Sequence, residues 1–585
     1  MPVLGLLMAM CCAAQPVAVT VDATTNLVLG DQATIAGTLF GVTAFEGFSE
    51  VIANADYRAR VMAAGFGSFR FPAPADWYAP EGAKPEWFDT PEAQTILEQT
   101  MAFGARYPLT RFLRTSRWLG AEPIVQLSVG EKLTKLDAAG VPLDFEAWTK
   151  WAVAMAGAAK KADPALRLVQ IWNEPNANWW KSDERLKPMG GWVGAHDKLF
   201  NLAARAIKAK YPDMLVVGPV FCWPPTWPPN RVGPSWGTWE EFTVPFLRDC
   251  AETADFFDFH SYNVTGDEVQ TQLEMIAAAS ERMRGRRLQS WITESGYDVP
   301  EAEWGKPAEW MKRAIPYERF LWGLLGQTDK CVGNLAHDLH AGAFRVVPSP
   351  AEGEPRPEYQ VFWILRDLRG ARLLTACDDG AVKVAATTHD DFLNTVCFND
   401  SDQARHVSIK AAVPAGWWTG PEVRALLPTG DRATFKTGTV DVKMTRNPGE
   451  AVLEFDLPAL ATVSILLRPQ YFLKPARKVV VREVFARPEM LDISKAVGKV
   501  VATMPADVGE AKLRVGLLGP SEKCKVVAKV GGKSYDLAPT AWQEIAIGPV
   551  AKGEQTIEVS ASGEVPGNLR LGFAAITWRE VTPAR

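Results

Sequence analysis

The stretch LVQIWNEPNANWW, from Leu168 to Trp180, sets an apolar run directly against a polar pair. The mostly apolar residues ending in Trp172 read as a buried strand. Pro175, with no amide hydrogen to give a ladder, stops it. Asn173 and Glu174 then stand at the strand's carboxyl end. A carboxylate there is costly to bury unless it has partners or a chemical task. A salt-bridged strand terminus and a reactive acid fit this stretch equally well, so the surrounding chain has to decide.

On both sides of it, short apolar runs alternate with amphipathic helical stretches such as FEAWTKWAVAMAGAAKKA and KLFNLAARAIKAKY. The candidate strands are Thr38–Thr43, Ser68–Pro72, Glu122–Leu127, Leu168–Glu174, Leu215–Phe221, Phe256–Tyr262, Gln289–Glu294 and Val332–His340. Eight strands alternating with helices over residues 37–367 predict a (β/α)₈ TIM barrel of the α/β class. In such a barrel, polar residues at the carboxyl ends of strands read as catalytic. After Arg366 the pattern becomes short strands with turn signals, which predicts a β-sandwich over 368–470. The run VAVTVDATTNLVL, within residues 15–36, supplies strands that precede the barrel and join this sandwich. A linker-like break at PQYFLKPARK leads to a second sandwich over 475–585, which resembles jelly-roll carbohydrate-binding modules. Such a module folds alone and is dispensable for chemistry.

The bulk numbers narrow the function. A chain of 585 residues needs more than one core. A net charge of −5 leaves no basic surplus for neutralising phosphates, which argues against nucleic-acid binding. Val3–Met10 is apolar but too short to span a bilayer, and no other segment is long enough. With small residues at Cys12–Ala14, residues 1–14 read as a signal peptide and the protein as secreted or periplasmic. A lipoprotein anchor on Cys11 or Cys12 is the weaker reading, because Met10 suits it poorly. Six Cys remain beyond residue 14 without metal-ligand spacing, so no metal and no cofactor is predicted, and disulfide pairing is open.

The fourth candidate strand ends in Asn173-Glu174, and the seventh, LQSWITESGYD, ends in Glu294. Two carboxylates at one end of a closed barrel, from strands on opposite sides, can converge across a sugar ring. With Asn-Glu after strand four and Glu after strand seven, the barrel resembles the retaining glycoside hydrolases of clan A. That resemblance implies a hydrolase cleaving a poly- or oligosaccharide. Glu174 would be the general acid/base with a raised pKa, and Glu294 the nucleophile. It implies that Asn173 hydrogen-bonds the sugar's 2-hydroxyl, and that Arg70, in SFRFPAP, holds Glu294 ionised. In FDFHSYN, Tyr262 is assigned to the nucleophile and His260 to substrate. His337 and His340 flank Asp338 on strand eight and are assigned to substrate. Residues three apart on a strand face opposite ways, which argues against a metal pair. The Trp that clan members often carry after strand eight is missing.

The chain holds 22 Trp against 10 Tyr, and many fall in loops. Trp179 and Trp180 follow strand four, and Trp223, Trp227, Trp236 and Trp239 lie in or after the Pro-stiffened loop FCWPPTWPPNRVGPSWGTW. Flat indole faces there suit sugar rings. WNEPNANWWK most resembles the β-xylosidase and α-iduronidase branch. The barrel with trailing sandwiches resembles the β-agarase and β-porphyranase branch. Lys181 and Arg231 stand in the loops where an acidic glycan would meet them. A transglycosylase would use every residue named here, whereas a non-catalytic glycan-binding barrel would be expected to have lost one carboxylate.

Overall fold

Strand and helix alternate from Phe40 to Leu365 as the apolar pattern predicts. The computed structural model describes residues 15–30, 34–35, 39–44, 48–99, 108–222, 239–297, 307–337, 339, 346–347, 356–389, 392–413, 420–430, 434–468, 476–488 and 490–583. Eight barrel strands follow in order: Phe40–Thr43, Ser68–Pro74, Glu122–Ser128, Leu168–Ile171, Leu215–Val217, Phe257–Tyr262, Ser290–Gly296 and Cys331–Ala336. Neighbours pair in parallel, and the eighth returns to the first through Asn334 and Phe40. Between the fifth and sixth strands the ladder thins to two bridges, Val217 to Phe256 and Phe221 to Phe259, which close the barrel.

Two strands are shorter than the sequence pattern predicts. The fifth stops at Val217 rather than Phe221, because Pro219 has no amide hydrogen and Val220 takes a left-handed φ of 61°. The eighth stops at Ala336 rather than His340.

The barrel interior is layered. At its base Ile124, Leu168, Val217, Trp291 and Leu335 form an apolar cluster. Gly333 is required there, because a Cβ on it would lie 1.9 Å from the Trp291 indole. The layer above is polar, with Arg70, Gln170, Asp258 and Thr293 all buried. On the outside, Phe69 and Phe71 pack with Phe48 and Phe112 against the helices. The pairing of the sixth and seventh strands slips between Phe259–Ile292 and His260–Glu294, leaving Thr293 as an extra residue. This bulge aims both Thr293 and Glu294 at the interior, which strict alternation forbids.

Two sandwiches follow, built around separate cores. The N-terminal strand Val17–Leu29 enters both. Val17–Asp22 pairs with Arg405–Ala412 and with Gly370–Cys377 of the first. Thr25–Leu29 pairs in parallel with Arg477–Phe485 of the second. In the second sandwich, a sheet of Arg477–Phe485, Arg570–Pro583, Val508–Leu518 and Trp542–Val550 faces one of Gly498–Met504, Gly553–Gly563, Cys524–Val530 and Lys533–Leu537. The linker-like break at residues 469–475 lies outside the described residues.

The second sandwich is not an appended module. Phe485, Phe573 and Ala575 sit in the barrel's own hydrophobic cluster. Arg514 reaches Glu274 of the barrel helix Gly266–Arg284 at 2.7 Å and Glu483 at 2.9 Å. Lys330, just before the eighth strand, reaches Glu483 at 3.0 Å. Glu274 is wholly buried and Lys330 nearly so, so each charge depends on partners across the junction. The six described cysteines are unpaired.

Candidate active site

At the carboxyl end of the fourth strand the chain makes a hook. Trp172 and Glu174 both take left-handed backbone, at φ 71° and 47°. Such conformations cost about 1–3 kcal/mol each and persist only where the surroundings enforce them. Here Trp172 N–H donates to Leu127 O at 3.1 Å and Glu174 N–H to Val220 O at 3.0 Å. Asn176 completes the brace, with its amide exchanging two hydrogen bonds with the Cys222 backbone at 2.7 and 2.9 Å. The hook therefore hangs between the third and fifth strand ends.

Seven of the residues singled out from sequence meet at the top of the polar layer, around Arg70. Arg70 Nη1 donates to Glu294 Oε1 at 2.5 Å, and Nη2 to Asn173 Oδ1 at 2.5 Å. The Tyr262 hydroxyl donates to Glu294 Oε2 at 2.6 Å. His260 Nδ1 lies 2.7 Å from Glu174 Oε1 and 3.3 Å from Glu294 Oε2. His337 Nε2 stands 4.0 Å from Glu294 Oε2. Donor atoms of Glu174, His260 and Glu294 all fall within 4.8 Å of one another. Among the described residues this trio alone is close enough to hold a cation. The Arg70 guanidinium already supplies positive charge to it.

The two carboxylates differ. Glu294 has 9% of its side chain exposed and Glu174 26%. Burial opposes ionisation of Glu294, but His260, His337 and Arg70, with the Tyr262 hydroxyl, outweigh it and hold the carboxyl at about 2. Burial likewise pushes Glu174 up, yet the hydrogen bond and charge of His260 prevail and hold it below its usual range. The sequence-based expectation of a raised Glu174 pKa is thus corrected for this state: the imidazole partner from strand six reverses the sign. Burial would push His260 down, but Glu294 and Glu174 hold it above its usual value. Between Glu174 and His260, the proton rests on the imidazole.

Other assignments change. His260 is wholly buried beneath Glu174, so it orients that carboxyl rather than presenting itself to a ligand. Trp179 is 1% exposed and packs against Trp172, Phe145 and His196, making it part of the core. Trp239 is buried too. Trp180 is 38% exposed, with its indole N–H donating to Ala177 O and the Lys181 ammonium 5.8 Å from its ring. Trp223, Trp227, Trp236, Arg231, Asp338 and His340 lie outside the described residues. Gln170, Asn176, Cys222, Asp258 and Thr293 were not singled out from sequence. For Gln170 and Asp258 a signal existed: each is a polar residue set inside an apolar strand.

No family model matches the chain. A 99-residue stretch is 31% identical to a β-xylosidase of Geobacillus stearothermophilus, covering 16% of this chain and 15% of that protein's length. Solved structures are similar over far more. BuGH86 in complex with neoagarooctaose superposes at TM-score 0.71 and 14% identity, covering 97% of this chain and 99% of that one. The β-porphyranase of glycoside hydrolase family 86 from the human gut bacterium Bacteroides plebeius gives 0.66 at 13%, covering 97% and 100%. A monomeric β-xylosidase from Caulobacter crescentus CB15 gives 0.51 at 15%, covering 78% and 100%. The resemblance to clan A glycoside hydrolases therefore holds in the fold, a TIM barrel followed by β-sandwiches.

Proposed function

We propose that the protein is a secreted, retaining β-glycoside hydrolase acting on a poly- or oligosaccharide. The observation that carries this reading is the asymmetry of two adjacent carboxylates. One is buried and clamped ionised by Arg70 and Tyr262, and the other is partly open and shares a proton with His260. Their closeness supports double displacement, which needs carboxyl groups roughly 5–5.5 Å apart, rather than the wider spacing that admits a water.

In the first step, Glu294 bonds to the anomeric carbon as the bond to the leaving oxygen breaks. Glu174 Oε1 passes a proton to that oxygen and takes one from His260 Nδ1 across 2.7 Å. Asn173 has its carbonyl oxygen engaged by Arg70, which leaves its amide hydrogens for a sugar hydroxyl. Once Glu294 is esterified its negative charge is gone, and the Glu174–His260 pair, having given its proton to the leaving group, holds Glu174 ionised beside a neutral imidazole. Glu174 then acts as base: it takes a proton from water, whose oxygen bonds to the anomeric carbon and releases Glu294.

The 97% span of the BuGH86 and porphyranase likeness includes both sandwiches, whereas the xylosidase likeness covers 78%. This favours galactan-type polymers such as agarose and porphyran over xylosides. The test is a panel of agarose, porphyran and xylan, with products separated by chromatography and the anomer first released identified by NMR. A β-anomer from a β-linked glycan supports the proposal, and an α-anomer rules out double displacement.

A further inference from the structure

Beneath Arg70, the buried Gln170, Asp258 and Thr293 take no direct part in the chemistry above. Asp258, on the sixth barrel strand, is wholly buried. Its oxygens accept from the Thr293 hydroxyl at 3.0 Å and from Gln170 Nε2. Gln170 Nε2 also donates to Thr293 Oγ1 at 2.9 Å, and its Oε1 accepts from Arg70 Nε at 2.6 Å. Arg70 in turn holds Glu294 and Asn173. A continuous hydrogen-bonded chain thus runs from Asp258 through Gln170 and Arg70 to Glu294.

The donor sense of this chain is fixed. An ionised carboxylate only accepts and a guanidinium only donates. The Gln170 amide therefore turns its nitrogen to Asp258 and its oxygen to Arg70. Flipped, it would set oxygen against carboxylate and N–H against guanidinium. Both ends of the chain thus specify one orientation of the amide. The arrangement is expensive, since burial pushes the Asp258 carboxyl up to about 6. An apolar residue would fill the layer at lower cost.

We propose that Asp258 is a positioning residue that, through the Gln170 amide, fixes the Arg70 guanidinium in the one orientation that holds both Glu294 and Asn173. This rests on the reading of Glu294 as nucleophile. The charged and titratable groups around Asp258 are His260 on its own strand, Arg70 on the second and Cys331 on the eighth, with Glu294 beyond Arg70 and Glu174 beyond His260. The charges of His260 and Arg70 both favour the Asp258 anion, so by reciprocity that anion helps keep the proton on His260.

The test uses Asp258→Asn, which keeps the shape and an acceptor for Gln170, and Asp258→Leu, which keeps neither. Substrate is neoagaro-oligosaccharide, or xylo-oligosaccharide if the panel selects xylan. KM stays near wild type in both, because Asp258 touches no sugar. kcat falls about tenfold for Asn and about a hundredfold for Leu, the scale of a misplacement near 1 Å. In Asp258→Asn the alkaline limb of kcat/KM moves to lower pH, since the proton on the Glu174–His260 pair has lost an anion that stabilised it. A loss of kcat matched by an equal loss of folded protein, with the limb unmoved, would make Asp258 merely structural and overturn the proposal. So would wild-type kcat in the Asn variant. A second readout does not depend on turnover. In ¹⁵N-histidine-labelled protein, with His260 assigned through His260→Gln, Asp258→Asn should lower the His260 pKa. If no glycan is cleaved but this shift appears, the hydrolase reading fails and the charge network stands. If glycan is cleaved and no shift appears, the network fails and the hydrolase reading stands.

Discussion

His260 Nδ1 lies 2.7 Å from Glu174 Oε1, joining two residues from different strand ends that are 86 positions apart in the chain. Through this contact a carboxyl named as an acid from its sequence position sits below its usual pKa, with its proton on the neighbouring ring. In the proposed reaction the acid is therefore a pair, and its alkaline limit belongs to the pair.

The two glutamates should fail differently. In the proposed reaction Glu294→Ala removes the nucleophile, so turnover of natural substrate should vanish. Glu174→Ala removes the proton donor, so substrates with good leaving groups should still form the glycosyl-enzyme, and deglycosylation should slow for want of a base. Azide should restore Glu174→Ala with retained configuration and Glu294→Ala with inverted configuration, read by NMR of the glycosyl azide. Near-native activity in both variants would sink the site assignment.

Two adjacent tryptophans should separate cleanly. Trp179→Ala empties a fully packed core position and should cost about 3–5 kcal/mol of stability, seen as a lower Tm. Trp180→Ala removes an exposed ring held by the Ala177 carbonyl. It should leave Tm within about a degree and raise KM on polymer. Equal Tm losses in the two variants would contradict this division.

Truncation after residue 468 should unfold more than it removes. It strips Thr25–Leu29 of its partner strand and takes Arg514 and Glu483 away from Glu274 and Lys330. Breaking a buried ion pair from one side costs about 3–5 kcal/mol. The single change Arg514→Ala should already lower the denaturation midpoint. A truncated barrel with wild-type Tm and activity would show that the second sandwich is separable after all.

Glu318, on the barrel helix Pro307–Leu325, is wholly buried and accepts a hydrogen bond from Thr462 of the first sandwich. Burial pushes its carboxyl up to about 7. The folded state thus favours the protonated form, and the stability this contributes is present below the unfolded pKa and lost as pH rises toward 7. Glu318→Gln should accordingly raise stability at pH 8, on the order of 3 kcal/mol at full effect, and change little at pH 4. Chemical denaturation at the two pH values measures it, and an equal effect at both would refute the buried-acid account.

Sequence alone determined the barrel, because eight short apolar runs spaced by amphipathic helices have few other ways to bury both faces of a parallel sheet. It also determined which residues could be reactive, since Glu174 and Glu294 follow apolar strands that leave a polar residue nowhere to go but the rim. What it could not determine was everything set by register and depth. The slip that places Thr293 and Glu294 side by side depends on how two strands pair, and no periodicity records that. Trp179 and Trp180 are the same residue type in consecutive positions, and only tertiary packing buries one and exposes the other. The direction of the Glu174 pKa followed from a ring supplied by another strand, across a distance that exists only once the barrel closes. Electrostatic interactions fall off with separation in space and are indifferent to separation in sequence, so the chain could name its carboxylates but only the folded barrel could say where the proton sits.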